Sequence, residues 1–360
     1  MKTYRIAILG ATGAVGQEML RVLEERNFPV ETLLPLASSR SAGATVTFRG
    51  QQFPVEEANA SAFDNIDIVL GATDNDIALA LAPAIKKSGA VFIDNSSAFR
   101  MDPQVPLVVA EVNPEDVQHH NGIISNPNCT TIITLTAVNA LHRLSPIRSM
   151  VASTYQAVSG AGAGGPVELL RQTEAISRGQ EYENKVFPYP IAYNLIPQIG
   201  GQQEYGYTSE EMKLHDEGRK ILHDQNLKAS CTCVRVPVLR SHSISARLTF
   251  DHPISVAQAR AAIAAAPGCK LTDDLDALQY PMPLDTSGQD LVYVGRIRQD
   301  ITDANSLNLW CCGDQLRKGA ATNAVQIAEL LIRSSVVYTH WRGSTQRRPP
   351  GGKLSKIFDF

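Results

Sequence analysis

The sequence of 360 residues lacks the features that mark membrane, secreted and nucleic-acid-binding proteins. No apolar run approaches the roughly 20 residues that span a bilayer, and the start MKTYRIAILGATG has no signal-peptide pattern. No basic tract occurs before residue 341, and the formal net charge is −3. These absences argue against a membrane or a nucleic acid as partner and predict a cytoplasmic protein.

Cysteine is scarce, and its spacing does not suit a metal. The six cysteines are Cys129, Cys231, Cys233, Cys269, Cys311 and Cys312. In a reducing cytosol they are expected to be free thiols. Neither the separation of Cys231 from Cys233 nor the adjacent pair Cys311 and Cys312 matches the C-x-x-C half of a zinc site, so no metal site is predicted.

The order of strand-like and helical runs predicts an α/β fold. In the first 125 residues, apolar runs such as RIAILG and IDIVLGAT alternate with helical patterns from Ala14 to Arg26 and from Asp76 to Ser88. Such strands, joined by helices, indicate a doubly wound, Rossmann-type parallel sheet covered on both faces. From about residue 145, long alternating segments predict a second, α+β domain with a mainly antiparallel sheet.

A predicted helix near the C-terminus suggests that the first domain is discontinuous. The segment RKGAATNAVQIAELLIRSS has the pattern of an amphipathic helix that could return to the first domain. We therefore expect one discontinuous domain of residues 1–128 with 315–340, and a second domain of residues 129–314. Residues 341–360 have no periodicity and are rich in Arg, Pro and Gly, which predicts a loosely ordered basic tail.

A glycine-rich segment, GATGAVG, follows the first predicted strand and opens a helix. Glycines let backbone N–H groups approach a pyrophosphate at a helix N-terminus. The spacing is not the commoner G-x-G-x-x-G, so the prediction of a dinucleotide site depends on the strand–turn–helix context. A glycine-rich turn without a ligand is the alternative. The predicted cofactor-binding residues here are Gly10, Thr12, Gly13, Ala14, Val15 and Gly16.

The second predicted strand favours NADP over NAD. An NAD site usually ends this strand with an acidic residue that binds the ribose 2′-hydroxyl. Here the strand ends in ASSRSAG, and Glu31 lies at its start. Ser39, Arg40 and Ser41 offer hydroxyls and a guanidinium to a 2′-phosphate. An ordinary surface charge is the alternative for Arg40.

The segment SNPNCTT places Cys129 where a strand-like run meets a helical run from Thr130 to Leu141. In the first turn of a helix, the macrodipole and free backbone N–H groups stabilise a thiolate and lower its pKa. The alternative is that Cys129 is a small capping residue. A nicotinamide cofactor and an activated thiol together suggest an aldehyde-level reaction through a thioester, which also needs an acid/base and an anion-binding group.

Seven segments, in this order, resemble the aspartate-semialdehyde dehydrogenases of the shorter bacterial type: GATGAVG, DNSSAFR, NPNCTT, TYQAVSGAG, EEMKLHDEGRKIL, CVRVPVLRSHS and RKGAATNAVQIAE. The resemblance covers about residues 3–335. It implies reduction of L-aspartyl-4-phosphate to L-aspartate 4-semialdehyde with release of phosphate. This step feeds the synthesis of diaminopimelate, lysine, threonine, methionine and isoleucine. The resemblance also implies a homo-oligomer, dimer or tetramer, formed through the β-rich domain.

The resemblance implies roles for the matching residues. Cys129 would be the nucleophile, His242 the acid/base, and Gln156 would orient the substrate carbonyl or the imidazole. The implied substrate-binding residues are Arg235 for the α-carboxylate, Glu210 for the ammonium, and Arg100 and Lys213 for the phosphate. The implied neighbours of the nicotinamide are Ser159, Gly160 and Asn323.

Spacing alone does not place these groups together. Glu210 and Lys213 are i and i+3 on a predicted helix, which without the resemblance would indicate an ordinary exposed ion pair. Arg235 and His242 are seven residues apart and would face opposite sides of one straight strand. Pro237 must therefore break or bulge the strand if both residues serve one pocket.

Two alternatives remain at this stage. An N-acetyl-γ-glutamyl-phosphate reductase would share the architecture, but its cysteine usually follows Pro-Gly, and its substrate has no free ammonium for Glu210. A non-catalytic NADP-binding redox sensor would use Cys129 as its oxidised residue. Relatives that have lost catalysis typically lose the cysteine or the histidine, whereas this chain has both Cys129 and His242.

Overall fold

The fold is taken from a computed structural model, which describes residues 2–343 and the side chains of residues 2–333. The strands are β1 (Tyr4–Leu9), β2 (Val30–Ala37), β3 (Thr45–Phe48), β4 (Gln51–Pro54), β5 (Glu56–Glu57), β6 (Ile68–Gly71), β7 (Val91–Asp94), β8 (Ile123–Ser125), β9 (Ile147–Gln156), β10 (Lys228–Arg235), β11 (His242–Phe250), β12 (Cys269–Leu271), β13 (Val292–Gln299) and β14 (Ser306–Gly313). The α-helices are α1 (Ala14–Glu25), α2 (Asn75–Ser88), α3 (Cys129–Leu144), α4 (Gly164–Ser177), α5 (Ser209–Ile221), α6 (Val256–Ala265), α7 (Pro283–Thr286) and α8 (Asn323–Gly343). Within the described residues, no helix has the length and apolar character needed to cross a membrane.

The first sheet has the strand order β5-β2-β1-β6-β7-β8, and all its neighbouring strands are parallel. Side chains of β1 alternate between two apolar clusters. Ile6 and Ile8 join the cluster on one face, while Ala7 and Leu9 join the cluster on the other, where Ala82 of α2 also lies. A strand buried on both faces reads as a continuous apolar run, as RIAILG does. The predicted doubly wound parallel sheet is confirmed.

The second sheet has the order β10-β9-β11-β14-β13-β12. Its three central pairings are antiparallel, as predicted, but the outer pairs β9–β10 and β12–β13 are parallel. Parallel neighbours require a crossover, and here the crossover between β9 and β10 contains α4 and α5. One face of this sheet packs against α3 and α6, whereas Val151 and Tyr155 on the opposite face are exposed.

Helix α8 packs against the first sheet. Ala324 and Val325 are fully buried in the same apolar cluster as Ile6 and Ile8, so the C-terminal helix packs in one apolar cluster with β1. On this packing we propose the discontinuous domain of residues 1–128 with 315–340 and the separate domain of residues 129–314. Helix α8 extends to Gly343, three residues into the predicted tail of residues 341–360, and the rest of that tail lies outside the described residues.

Candidate active site

A cavity of about 860 Å³ lies between the glycine loop of the first sheet and one end of the second sheet. One side of the cavity is formed by loops that follow the parallel strands of the first sheet. Doubly wound folds bind ligands at this end of the sheet. The predicted site residues that line it are Gly13, Ala14, Val15, Arg100, Cys129, Ser159, Gly160 and Lys213.

The glycine loop has the close packing that a dinucleotide site needs. Gly10 has φ +88°, and a Cβ there would lie 2.4 Å from the carbonyl oxygen of Ala72. A Cβ on Gly16 would lie 2.2 Å from the carbonyl oxygen of Gly10. Gly13 is the N-cap of α1 and supplies no side-chain cap, so first-turn N–H groups are available to an anion. Thr12 is exposed in the same loop.

The predicted 2′-phosphate residues lie beside this loop. They lie in a turn one residue after the end of β2, in which Ser39 and Arg40 are exposed and Ser41 is half-buried. The N–H of Gly10 donates to the carbonyl oxygen of Leu36 at 2.8 Å, which holds the glycine loop against the end of β2. Glu31 is near the opposite end of that strand. The structure therefore brings this turn next to the glycine loop, but outside the wall of the cavity.

Cys129 is the first residue of α3, and a short loop separates it from the end of β8 at Ser125. The cap is Asn128, whose side-chain oxygen accepts from the N–H groups of Thr130 at 3.0 Å and Thr131 at 3.4 Å. The interpretation of Cys129 as a capping residue is therefore wrong. A Cβ on Gly319 would lie 2.9 Å from the Cβ of Cys129, so the π-helical turn that precedes α8 packs directly against the cysteine.

The predicted fall in the pKa of Cys129 is also wrong. Burial raises the pKa of the thiol to about 11, and the negative charge of Glu210 adds to this effect. Lys213 and Arg100 act in the opposite direction. Desolvation of the thiolate outweighs these cations, so the thiol is protonated at neutral pH.

Gln156, Arg235 and His242 meet at one end of the second sheet. Strand β9 lies between β10 and β11, with Gln156 opposite Arg235 and Tyr155 opposite Ser243. The chain leaves β10 after Arg235 and enters β11 at His242, so the expected break in the strand is present. The two residues lie on different strands, and their separation of seven no longer puts them on opposite faces.

His242 is fully buried, and its hydrogen bonds define its tautomer. The N–H of Ala157 donates to Nδ1 at 3.1 Å, so the neutral ring carries its proton on Nε2. Within the described residues, Nε2 has no hydrogen-bond partner. Burial, aided by the charge of Arg235, lowers the pKa of His242 to about 3. His242 is therefore a neutral donor whose N–H is free for a ligand.

Arg235 is 6% exposed and donates from Nη1 to the carbonyl oxygen of Ala157 at 2.8 Å. No carboxylate of the described side chains forms an ion pair with it, although the ring of Phe187 lies 6.0 Å from the guanidinium. An unpaired buried guanidinium is costly, which favours a carboxylate ligand. Gly160 covers both basic groups, since a Cβ there would lie 2.7 Å from Nη1 of Arg235 and 3.2 Å from Nε2 of His242.

Glu210 and Lys213 are not the exposed ion pair that their spacing favours. Glu210 is 9% exposed, and its Oε2 lies 2.8 Å from Nζ of Lys213. Its Oε1 accepts from the amides of Gln156 at 3.2 Å and Asn128 at 3.1 Å. Burial opposes the charge of Glu210, but Lys213 and these amides outweigh it and lower the pKa of the carboxyl.

Arg100 is 7% exposed and reaches the cavity between α3 and α5. Its guanidinium donates to the carbonyl oxygens of Asn126 at 3.1 Å and Asn95 at 2.7 Å, and to the carboxylate of Glu217 at 3.0 Å. A positive group is therefore held beside Cys129 from the first domain.

Comparison with known proteins defines the family. Residues 5–120 match the model of the semialdehyde dehydrogenase NAD binding domain, and residues 138–318 match that of the semialdehyde dehydrogenase dimerisation domain. An aspartate-semialdehyde dehydrogenase of Synechocystis sp. is 52% identical over 328 residues, which cover 91% of this chain and 97% of that protein.

The chain belongs to the aspartate-semialdehyde dehydrogenase family.

Solved structures of the family agree with the fold. Aspartate-semialdehyde dehydrogenase II from Vibrio cholerae has a TM-score of 0.90 at 42% identity, covering 92% of this chain and 99% of that chain. The same protein complexed with ASA has a TM-score of 0.89. The family membership predicted from the seven segments is confirmed. The chain is an oxidoreductase whose first sheet lies in the family's nicotinamide-cofactor domain and whose second sheet lies in its dimerisation domain.

Five residues implied by the resemblance are not among those that line the cavity: Gln156, Glu210, Arg235, His242 and Asn323. Asn323 is held inside the fold. Its side chain is fully buried and donates to the carbonyl oxygen of Val108 at 2.8 Å and to the amide of Asn126 at 2.6 Å. Its oxygen accepts from the N–H of Ala110 at 3.1 Å and from Lys318 at 3.1 Å. These bonds use the amide inside the fold, so Asn323 supports the loop that contains Asn126.

Three residues of this site were not predicted: Asn128, Glu217 and Gly319. Asn128 could have been found, because asparagine before a helical run is a preferred N-cap. Glu217 lies one helical turn after Lys213, but an acid at that spacing usually indicates a solvated helix face. Gly319 lies in the segment RKGAATNAVQIAE, but its contact with Cys129 joins two segments that are distant in the sequence, which spacing does not report.

Proposed function

We propose that the chain is an NADP-dependent aspartate-semialdehyde dehydrogenase that reduces L-aspartyl-4-phosphate to L-aspartate 4-semialdehyde and releases phosphate. One observation carries the proposal. A thiol, Cys129, lies among separate groups suited to a carboxylate, an ammonium and a phosphate. The Vibrio cholerae relative complexed with ASA supports a substrate of this class.

Substrate binding follows from the charges of the site. Arg235 has no carboxylate partner among the described side chains and would bind the α-carboxylate through two parallel N–H groups. Glu210, held beside Lys213 and two amides, would meet the α-ammonium. Arg100 and Lys213 would bind the phosphate. Because Glu210 is paired with Lys213 and Arg100 with Glu217, a substrate without the α-carboxylate would leave Arg235 as the buried charge with no ion-pair partner among the described side chains, at a cost of several kcal/mol.

Cys129 would act as the nucleophile. Its sulfur attacks carbon 4, the bond from that carbon to the phosphate oxygen breaks, and an acyl-thioester forms while phosphate leaves. The negative charge of Glu210 is one cause of the raised thiol pKa. A substrate ammonium neutralises that charge, so substrate binding favours the thiolate.

His242 would act as the acid/base. The proton on Nε2 suits donation to the substrate oxygen as negative charge develops on it. The other part of this role is acceptance of the thiol proton by Nε2. For that, the ring must first carry its proton on Nδ1, which requires that the hydrogen bond from the N–H of Ala157 to Nδ1 is broken. Gln156, which donates to Thr130 at 3.1 Å and to Glu210, would orient the carbonyl beside the first turn of α3.

The residues of the first domain fit a dinucleotide. The glycine loop would hold the pyrophosphate at the start of α1, and Ser39, Arg40 and Ser41 would bind the 2′-phosphate. Ser159 and Gly160 line the cavity on the side of Cys129 and would hold the nicotinamide end. When bound, NADPH supplies the hydride that reduces the thioester. The carbon–sulfur bond of the resulting hemithioacetal then breaks, and Cys129 is released.

We also propose a cytoplasmic homo-oligomer, dimer or tetramer, in the synthesis of diaminopimelate, lysine, threonine, methionine and isoleucine. The dimerisation-domain match supports the assembly. The second sheet has a face on which Val151 is 54% and Tyr155 37% exposed, and apolar side chains on an open sheet face suit a second copy of the chain.

The reaction is tested in reverse with L-aspartate 4-semialdehyde, phosphate and NADP, and NADPH formation is followed by absorbance. We expect turnover by the wild type, none by Cys129→Ala, and weaker turnover with NAD. Turnover only of N-acetylglutamate semialdehyde would identify the alternative reductase. If the protein turned over neither substrate, the proposal that it is an enzyme would be contradicted, and the non-catalytic NADP-binding redox sensor would be the remaining alternative.

A further inference from the structure

Helix α5 carries four charged residues on one face, and the first two of them are the proposed substrate-binding residues. Glu210, Lys213, Glu217 and Lys220 are spaced by three, four and three residues, which places them along one side of a helix. Glu210 and Lys213 lie at the end of this row next to Cys129. Glu217 and Lys220 contact protein groups instead, and both connect α5 to the segment that contains Arg100.

Glu217 joins the phosphate-binding group to the nucleophile helix. It is 2% exposed, its Oε1 accepts from Nη1 of Arg100 at 3.0 Å, and its Oε2 accepts from the N–H of Asn128 at 2.8 Å. Asn128 is the N-cap that directly precedes Cys129. One buried carboxylate therefore contacts both Arg100 and the start of α3.

Lys220 holds the loop from the other side. Its ammonium donates to three backbone carbonyl oxygens, at 2.6 Å to Arg100, 2.7 Å to Asp102 and 2.8 Å to Val105. A lysine ammonium has three N–H donors, and these three bonds use all of them. The backbone of the Arg100 loop is therefore fixed to α5.

The orientation of Arg100 is then set from several directions. Its guanidinium has five N–H groups, and three bonds go to Asn126, Asn95 and Glu217. Among the described residues this leaves two N–H groups for a ligand in the cavity. These are one N–H on Nη1 and one on Nη2, and guanidinium N–H groups are charge-assisted donors to phosphate.

We propose that Glu217 and Lys220 are positioning residues. They hold the guanidinium of Arg100 at a fixed position relative to Cys129, so that the phosphate and the thiol both reach carbon 4 of the substrate. This inference rests on the proposed function of Arg100 as a phosphate ligand. Neither residue touches the substrate, and both act through Arg100. Because α5 also carries Glu210 and Lys213, one helix sets the ammonium site, the phosphate site and the nucleophile.

The test uses Glu217→Gln and Lys220→Met in the reverse reaction, with phosphate and semialdehyde varied separately. The matched controls are Glu174→Gln, from an exposed ion pair, and Lys87→Met, at an exposed position. Loss of a charge-assisted contact to Arg100 predicts a phosphate KM raised about tenfold or more in each variant. The semialdehyde KM should change less than about twofold, and the controls should match the wild type.

Other outcomes distinguish the possible failures. A nearby negative charge with no positioning role would weaken phosphate binding, so a lower phosphate KM in Glu217→Gln would overturn the inference. If the KM values for phosphate and semialdehyde rose equally and the Tm fell, Glu217 and Lys220 would have a merely structural role, and the inference would also be overturned. Unchanged phosphate KM values in both variants, with an active wild type, would overturn the inference and leave the proposed function intact.

A second measurement does not depend on turnover. Inorganic phosphate that binds the folded chain raises its Tm, and both variants should lose that rise. If the wild type turned over no semialdehyde but showed a phosphate-dependent rise that both variants lost, the proposed function would fail and the positioning role would stand. If the wild type showed no rise and no turnover, both would fail.

Discussion

Replacing Gly160 with alanine tests whether the backbone of Gly160 lies as close to Arg235 and His242 as the structure shows. The φ angle of Gly160 is not in the left-handed region, so alanine suits the backbone. A Cβ would nevertheless lie 2.7 Å from Nη1 of Arg235 and 3.1 Å from Cε1 of His242. Ordinary contact begins at 3.4 Å, so the guanidinium must move by about 0.7 Å, the difference between 3.4 and 2.7 Å.

That displacement acts on a buried guanidinium with little freedom. Its Nη1 is bonded at 2.8 Å to the carbonyl oxygen of Ala157, so a shift breaks this bond or misaligns the pair of N–H groups that would bind the α-carboxylate. A charge-assisted hydrogen bond contributes about 1.5–3 kcal/mol, and each 1.4 kcal/mol is a factor of ten. We therefore expect the semialdehyde KM to rise about 10- to 100-fold, with a smaller change in the phosphate KM.

The assay is the reverse reaction, with initial rates of NADPH formation measured over a range of semialdehyde concentrations. Gly201→Ala is the matched control, because a Cβ at Gly201 meets no atom within 4 Å. Circular dichroism and Tm measurements show whether both variants are folded. A folded Gly160→Ala variant with wild-type KM and kcat would refute the close approach of Gly160 to Arg235.

Two further predictions concern the thiol and the cofactor. Burial, with a smaller contribution from the negative charge of Glu210, raises the pKa of Cys129 to about 11. Glu210→Gln removes that charge, so the midpoint for iodoacetamide alkylation of Cys129 should move to lower pH; an unchanged or higher midpoint would contradict the electrostatics described for the site. Arg40→Ala should raise the KM for NADP about tenfold and leave the KM for NAD nearly unchanged, because only NADP has the 2′-phosphate that a guanidinium would pair with; equal effects on both cofactors would argue that Arg40 is an ordinary surface charge.

Much of the fold follows from local pattern. The bounds of α1 and α2 were predicted to within one residue, and the apolar runs RIAILG and IDIVLGAT contain most of β1 and all of β6, because strands buried on both faces and amphipathic helices have distinct patterns. The parallel outer pairs of the second sheet were not predicted. Strand pairing there depends on crossovers through whole helices, and no local signal reports which edge a strand joins.

The site was less predictable from spacing. Arg235 and His242 meet because β9 lies between their strands, and such a register is set by tertiary packing. Burial converts Glu210 from a surface charge into part of the site, and burial likewise raises the pKa of Cys129, where the helix N-terminus alone predicted a fall. The motif of Asn323 also does not show that its amide is hydrogen-bonded inside the fold, and its place near the nicotinamide stays a prediction.

The central claim is that Cys129 forms an acyl-thioester with an aspartyl group. It is tested most directly by incubating the protein with L-aspartate 4-semialdehyde and NADP without phosphate, quenching in acid, and determining the mass of the peptide that contains Cys129. We expect that peptide to gain the mass of one aspartyl acyl group, lose it when phosphate is added before the quench, and remain unmodified in Cys129→Ala. NADPH formation that proceeds with no mass gain on Cys129, or with the gain on another cysteine, would contradict the account.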